Sequence, residues 1–181
     1  MTDVYSCQPV LSHGSVTLRP MQPEDLDGLL RCYSDPASVP LFNSDNCNGD
    51  DFHYTTPERM KQAMDFWTFS YRNQYFVRWT IVVDNEVAGT VEMFSRLAQD
   101  GNEGVMRIDL ASAYEQVGVL DDILEIARLH FYNLFGTDVI LTKAVPIAEA
   151  RLEALRRAGY SEMGKSFLGY EHYYTRAIAK E

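Results

Sequence analysis

Residues 107–122 constrain the fold more than any other segment, because they predict a strand, a tight turn and a helix start in immediate succession. The helix prediction rests on apolar residues that recur at the i, i+3, i+4, i+7 spacing of a helix with one buried face. These residues are Leu120, Ile123, Leu124, Ala127, Phe131 and Leu134, and Gly136 follows them as a stop signal. A turn between a strand and a helix N-terminus can bind an anion, since unpaired N–H groups and the helix dipole point into it.

The chain has the composition of a globular protein that folds as one domain. Its 181 residues are 46% hydrophobic, which is enough to bury a core without disulfides. No apolar run approaches the ~20 residues that span a bilayer, and the first residues lack the features of a signal peptide, so we expect no membrane association. The cysteines Cys7, Cys32 and Cys47 form no Cys-x-x-Cys pair, so we expect reduced thiols and a cytoplasmic protein.

The balance of charge limits the kinds of partner. A formal net charge of −10 disfavours nucleic acid, whose phosphates need a basic surface, and suits cationic substrates such as amines. The four histidines are not spaced as metal ligands and no Cys/His cluster occurs, so we expect no metal. The sequence leaves the oligomeric state open, and a homodimer is among the open states.

Strand and helix patterns follow one another in the order β-α-α-β-β-β-α-β-α-β. Period-two alternation predicts the strands, and apolar stripes with capping residues predict the helices. The expected strands are 15–19, 76–83, 87–93, a strand beginning at 107, 138–144 and 167–177; the expected helices are 23–34, 56–71, 120–134 and 149–158; polar loops are expected at 37–54 and 98–104. This order is that of a mixed α/β domain with a central sheet.

Short motifs stand in a fixed order among these elements: Thr-Leu-Arg-Pro at 17–20 with Pro-Glu-Asp at 23–25, Val-Ala-Gly at 87–89, and Leu-Arg-Arg-Ala-Gly-Tyr at 155–160. Together with the element order, they resemble the GNAT superfamily of acyl-CoA N-acyltransferases over nearly the whole chain. The resemblance is greatest to the branch of ribosomal-protein and spermidine N-acetyltransferases. It implies an α/β (α+β) fold in which a mixed central sheet of about six to seven strands is flanked by about four helices. It also implies one domain over residues 1–181, with residues 1–14 as an N-terminal extension.

The resemblance places acetyl-CoA along the strand and turn of residues 107–122. Its pantetheine arm would pair with Ile108 and Leu110, and its pyrophosphate would lie at the turn, on Glu115, Gln116, Val117, Gly118, Val119 and Leu120. The family's turn reads Arg/Gln-x-x-Gly-x-Gly/Ala. In this chain Glu115 stands at the basic position, Gln116 at a usual extra glycine and Leu120 at the last small residue, so that Gly118 alone fits. Both a carboxylate and a bulky side chain here disfavour phosphate binding.

The resemblance also implies acetyl transfer to a primary amine of a small molecule or a protein N-terminus. Such chemistry needs a base, an acid for the leaving thiolate and donors for the oxyanion. Asp109, on the strand that would receive the thioester, is the first candidate base, and Glu92 on the preceding strand is the second. Tyr173 on the last strand is a candidate proton donor. The structural alternatives are a solvent-facing position for the two acids and core packing for the tyrosine.

The acceptor pocket of this family is built from variable loops, and loop 37–54 is the candidate here. The helix predicted at 56–71 carries one apolar stripe: Met60, Ala63, Met64, Trp67 and Tyr71. A stripe rich in methionine and aromatic residues is usually core packing, and the wall of a ligand site is the alternative.

Three functions remain open from the sequence. The chain is an acetyl-CoA-dependent N-acetyltransferase with an altered turn, as Gly118 favours. Alternatively it is a non-catalytic binding or regulatory module of the same fold that has lost its cofactor, as Glu115, Gln116 and Leu120 favour. The third possibility is a one-domain mixed α/β protein that resembles the family in topology only, since a fold does not fix a function.

Overall fold

One mixed sheet of eight strands runs through the computed structural model, which describes residues 4–99 and 101–178. Its strands are β1 (Leu11–His13), β2 (Val16–Pro20), β3 (Val77–Val83), β4 (Glu86–Ala98), β5 (Gly101–Leu110), β6 (Val139–Lys143), β7 (Ser161–Glu162) and β8 (Tyr173–Ala177). They lie in the order β1-β2-β3-β4-β5-β6-β8-β7. All neighbours are antiparallel except β5 and β6, which are parallel. The mixed α/β fold is therefore confirmed, with β1 and β7 added to the predicted strands.

Helices cover both faces of this sheet. They are α1 (Leu26–Ser34), α2 (Pro57–Arg72), α3 (Val117–Ile126), α4 (Tyr132–Phe135) and α5 (Glu149–Arg157), and a π-helical turn at Ala127–Phe131 joins α3 to α4. The larger core lies under α3, where Trp79 stacks on Phe131 with ring centroids 5.2 Å apart. A second core lies under α1 and α2. None of the described helices is long and apolar enough to cross a membrane.

Several boundaries differ from the sequence predictions, and three of the differences change the sheet. The strand predicted at 167–177 is shortened to β8, because Leu168, Gly169 and His172 have positive φ angles of 52°, 88° and 67° that turn the chain. The loop predicted at 98–104 is wrong for most of its length, since the hairpin ladder runs out to the pair Ala98↔Gly101. Within the expected extension 1–14, β1 pairs with β2 and belongs to the sheet.

The parallel strands β5 and β6 separate toward their C-terminal ends. Their pairing runs from Glu103↔Val139 to Met106↔Thr142, and β5 continues beyond the last pair to Leu110. The opening that results, bounded by the end of β5, the turn before α3 and the start of α5, is called the cleft below. Gly89 fixes the other edge of β5 here, since a Cβ on it would lie 1.9 Å from the Asp109 carbonyl oxygen. The cleft is where the resemblance places acetyl-CoA.

Asp35, at the end of α1, ties this helix to the segment before α3. Its carboxylate accepts hydrogen bonds from the Ser38 hydroxyl at 2.6 Å and from the Ser112 N–H at 3.2 Å. Hydrogen bonding by the side chain of Ser112, then by that of Ser38, and more weakly by backbone N–H groups lowers the pKa of Asp35 from 3.8 to about 2. A carboxyl whose pKa falls on folding stabilises the protein above its unfolded-state pKa, and the stabilisation is lost as the pH falls toward the folded value.

We therefore expect Asp35→Asn to lower the free energy of unfolding by about 1 kcal/mol at pH 7, a value reduced for solvent screening. The difference between wild type and variant should shrink below pH 4 and vanish near pH 2. Urea unfolding of both proteins at several pH values measures it. The matched control is Asp65→Asn, on an exposed residue of α2 paired with Lys61, which should show a small difference throughout. A difference that grows on acidification would contradict the assignment to Asp35.

Candidate functional site

A buried arginine fills the cleft. Arg151, from the first turns of α5, donates from Nη1 to the carbonyl oxygen of Ile108 at 2.8 Å. Its Nε and Nη2 donate to the two carboxylate oxygens of Glu115, each at 2.8 Å, in a bidentate ion pair. The side chains of Arg151 and Glu115 are 2% and 7% exposed. The cleft is thus closed by side chains of the protein itself.

The turn before α3 leads into an acidic helix start, whose acids are engaged with the protein. Asp121 pairs with Arg157 at 3.0 Å. Asp122 accepts from the backbone N–H of Ser15 at 2.9 Å and lies 3.0 Å from the His13 ring, so it holds the β1–β2 turn. A depression of about 580 Å³ lies in front of this turn, and the described residues that line it include three aspartates and no lysine or arginine. This surface is unsuited to a pyrophosphate.

The predicted cofactor residues lie in three places: at the Arg151 ion pair in the cleft, along the acidic depression, and in the core. Ile108 and Glu115 are bonded to Arg151, while Leu110 and Leu120 are fully buried. Of the remaining four, Gln116, Gly118 and Val119 line the acidic depression, and Val117 packs at the edge of the core. The residues present therefore do not fit CoA: the carbonyl that would hold pantetheine is bonded, its space is filled and the turn carries anions.

The two candidate bases lie on opposite sides of one arginine. Arg78, on β3, donates from Nη1 to Asp109 Oδ2 at 3.0 Å and from Nη2 to Glu92 Oε2 at 2.5 Å. Arg107 donates to the other Glu92 oxygen at 2.8 Å, and Tyr33 donates its hydroxyl to Asp109 Oδ2 at 2.7 Å. Asp109 and Glu92 are 0% and 1% exposed, so the solvent-facing alternative is wrong for both.

These ion pairs decide what the two acids can do. Both oxygens of Glu92 accept hydrogen bonds from guanidinium groups, which hold the carboxylate in place. Burial raises the pKa of Asp109, although Arg78 and the Tyr33 hydroxyl act in the opposite direction. Burial alone would lower the pKa of Arg78, but Glu92, Tyr33 and Asp109 raise it above its usual range, so Arg78 stays charged. Arg78, Glu92, Arg107 and Asp109 form a buried cluster of ion pairs, called the electrostatic floor below.

The third candidate, Tyr173, is buried on β8 close to this floor. Its hydroxyl donates to Asp45 Oδ2 at 3.1 Å and accepts from Asn43 Nδ2 at 3.1 Å. Burial raises the pKa of Tyr173 well above the usual value for a tyrosine. Lys143 neutralises Asp45 at 2.8 Å. The structure therefore brings Tyr173 and Glu92 to one cavity, whose described wall does not include Asp109.

That cavity, called the α2 cavity below, has a volume of about 560 Å³ and lies between α2, the sheet and loop 46–54. Met60, Ala63, Met64 and Trp67 of the predicted stripe all pack in the core, and Ala63 and Trp67 also line the cavity, so that both alternatives apply to these two residues. Its aromatic wall consists of Phe52, Tyr54, Phe66, Trp67, Tyr75, Phe76, Phe94, Phe167 and Tyr173; its charged residues are Asp50, Arg59, Arg78, Glu92, Arg96 and Arg107. Among the described residues, no group of three or more His, Cys, Asp or Glu could hold a metal ion.

Sequence reasoning missed the arginines of both sites. Arg78 interrupts the otherwise apolar run of β3, and this interruption is the available signal, because a charge in a buried strand needs a partner. Arg151 carries no such signal, since it stands in a helix with other charged residues. The available signal is Glu115. It stands where the resemblance expects a basic residue, so an acid there indicates that a cationic side chain of the protein lies beside it.

Comparisons with known proteins agree with this fold. Residues 15–161 match the sequence model of the acetyltransferase (GNAT) domain. A search of curated proteins gives no match. Among solved structures, Mycobacterium smegmatis RimJ in complex with CoA-disulfide matches with a TM-score of 0.74 and 15% identity, covering 93% of this chain and 86% of that one.

Two further structures are similar. RimL, a ribosomal L7/L12 α-N-protein acetyltransferase in complex with coenzyme A, has a TM-score of 0.72 and 14% identity, covering 94% of this chain and 98% of that one. A Salmonella typhimurium acetyltransferase that modifies the N-terminal serine of ribosomal protein L7/L12 has a TM-score of 0.70 and 15% identity, covering 94% and 100%. At such identities the similarity establishes a shared fold, and the site must be judged from its own residues.

Proposed function

This chain belongs to the acetyltransferase (GNAT) domain family, and we propose that it is a member that binds a small molecule in the α2 cavity while its cofactor cleft stays closed. One observation carries the proposal: the guanidinium of Arg151 occupies the opening between β5 and β6 and bonds both Ile108 O and Glu115. In this function the chain keeps the family's fold and binds its ligand under α2, and the cleft contributes to stability.

Opening the cleft would break a buried ion pair. Neither Arg151 nor Glu115 is exposed enough to regain full hydration where it stands. Separating such a pair costs about 3–5 kcal/mol, which would weaken a displacing ligand by roughly two to four orders of magnitude. CoA would then still place its pyrophosphate beside Asp121 and Asp122, near the start of α3.

The α2 cavity supports the other half of the proposal. Its volume of about 560 Å³ and its aromatic wall with a few charged groups are typical of small-molecule sites. The Arg78–Glu92–Arg107 ion pairs hold its floor in place before a ligand arrives, which reduces the entropy lost on binding. A preformed cavity of this kind can bind a ligand whether or not the cleft holds a cofactor.

The family match favours a second candidate, an acetyl-CoA-dependent N-acetyltransferase that acts on a primary amine of a small molecule or of a protein N-terminus. Gly118 also favours it. A Cβ on this residue would meet nothing within 4 Å, so the fold itself does not require glycine there, and close approach of a cofactor would explain it. In this case CoA would have to displace Arg151 from Ile108, and a protein amine as acceptor would agree with the ribosomal-protein acetyltransferases among the similar structures.

Isothermal titration of acetyl-CoA and of free CoA into the wild-type protein, at low and moderate salt, separates the two candidates. We expect no heat of binding up to millimolar cofactor, because Arg151 and Glu115 must part first. Micromolar binding would replace the proposed function by the second candidate. A screen of amine acceptors with acetyl-CoA would then be the next measurement.

A further inference from the structure

We propose that the α2 cavity recognises a small aromatic carboxylate, and that the guanidinium groups of Arg78 and Arg107 bind its carboxylate group. This inference rests on the proposed function, because it names the chemical class of the ligand for the same cavity. Both arginines line the cavity, and the same carboxylate of Glu92 holds them side by side. Unused hydrogen-bond donors, paired acids and an aromatic wall carry the inference.

Each of the two arginines has an unused donor at Nε. The Nε atoms of Arg78 and Arg107 are buried and have no hydrogen-bond partner among the described residues, although both Nη atoms of each side chain are bonded. The two side chains are 2% and 11% exposed, so bulk water does not readily serve these donors. A buried N–H without an acceptor is unfavourable, so a ligand oxygen that reaches these donors would be stabilised there.

The acids of the cavity wall are already paired with arginines, so they leave no unpaired carboxylate for a cationic ligand. Asp50 is paired with Arg59, and Glu92 is paired with Arg78 and Arg107. Two acids behind the wall are also engaged: Asp109 with Arg78, and Glu103 with Arg96 at 3.6 Å. Because the arginines are always charged, whereas burial favours the neutral form of Asp109, the balance inside the cavity tends toward positive charge. This distinguishes the cavity from the acidic chain as a whole.

The walls select an aromatic body for this anion. The ring of Trp67 lies 4.2 Å from the Arg78 guanidinium carbon, so a flat apolar surface adjoins the donors. At the mouth, Phe66, Tyr75 and Leu168 are 56%, 60% and 58% exposed although they are large apolar or aromatic side chains. A ligand with a ring system would cover them, and a small hydrophilic anion would not. An aromatic carboxylate therefore satisfies both the donors and the walls.

Three probes with one ring system and different head groups test the ligand class: naphthoate, naphthamide and naphthylmethylamine, each titrated calorimetrically into the full chain. We expect naphthoate to bind most tightly, the neutral amide about tenfold more weakly and the cationic amine least of all, because hydrogen bonds to an ionised acceptor are stronger. If the amine binds best, the ligand class is overturned but a binding function for the cavity remains. If none of the three binds, the inference and the binding function both fail.

Two variants separate recognition from mere support of the fold. Arg107→Gln removes the charged donor and should reduce the preference for naphthoate over naphthamide from about tenfold to about twofold. Phe66→Ser, on the exposed rim, should weaken naphthoate and naphthamide by the same factor and leave their ratio unchanged. Arg128→Gln, on an exposed residue away from the cavity, is the control for both. An Arg107→Gln protein that binds all probes more weakly at an unchanged ratio would assign this arginine a structural role and overturn the inference.

Discussion

Replacing Arg78 by methionine should lower the free energy of unfolding by about 3–5 kcal/mol, because the substitution leaves two acids buried without their shared cation. Among the described residues, Asp109 would keep only the Tyr33 hydroxyl as a donor to Oδ2, and Glu92 would keep only Arg107. Methionine fills much of the same volume, so the effect reports charge rather than a cavity. Urea unfolding at pH 7, followed by the fluorescence of the two tryptophans, Trp67 and Trp79, measures it.

The pH dependence of this variant supplies a second readout. Burial raises the folded-state pKa of Asp109 above its unfolded value, and removal of Arg78 should raise it further. A carboxyl of this kind favours the folded state at low pH, and that contribution is lost as the pH rises through its folded pKa. The loss in free energy of unfolding caused by Arg78→Met should therefore be smaller at pH 5 than at pH 8.

Two further proteins make the result specific. Arg72→Met changes an exposed arginine of α2 and should alter the unfolding free energy by less than about 0.5 kcal/mol. The triple variant Arg78→Met, Glu92→Met, Asp109→Leu removes the whole charge cluster, and we expect it to recover much of the lost stability, since apolar replacements of buried ion pairs are often neutral or stabilising. A loss below about 1 kcal/mol in the single variant would refute the role assigned to Arg78.

Local signals in the sequence predicted the elements well. Thr56 caps α2 by accepting a hydrogen bond from the Arg59 N–H, and Gly136 ends α4 with a left-handed φ of 58°. Asp84 and Asn85, both with positive φ, form the predicted two-residue hairpin turn between β3 and β4. Capping, stop and turn residues act on their own neighbours, so the chemistry of a few consecutive residues suffices to place these features.

The sites could not be predicted in the same way, because their partners are distant in the chain. Arg78 and Asp109 are 31 residues apart, and Arg151 and Glu115 are 36 residues apart. A charged residue in a sequence is usually solvated, and which pairs become buried depends on how the sheet and helices meet. The resemblance to a family supplied the fold and pointed to the turn at Glu115, but Arg151, which closes the cleft, is visible only in three dimensions.

Arg151→Ser and Glu115→Gln should each lower the free energy of unfolding by about 3–5 kcal/mol, while the double variant should lose at least 1.5 kcal/mol less than the sum, a rough bound for a buried pair. Each single variant leaves one buried group without its partner, and the double variant leaves two neutral groups. Urea unfolding of the four proteins gives this coupling energy. The exposed pair Glu153–Arg156, on the same helix, is the matched control, and its coupling should stay below about 0.5 kcal/mol.

The same four proteins test whether the ion pair is what excludes CoA. Serine at position 151 frees the carbonyl of Ile108, and glutamine at 115 removes one negative charge from the turn. If the pair alone closes the cleft, the double variant should bind acetyl-CoA at least tenfold more tightly than wild type in calorimetric titration, a rough lower bound given the energy of a buried pair. If the double variant is coupled in stability but still binds no cofactor, Asp121 and Asp122 exclude the pyrophosphate by themselves, because their charges remain near the start of α3. Absence of coupling would contradict the closed cleft itself, since an ion pair that contributes no energy cannot hold out a ligand.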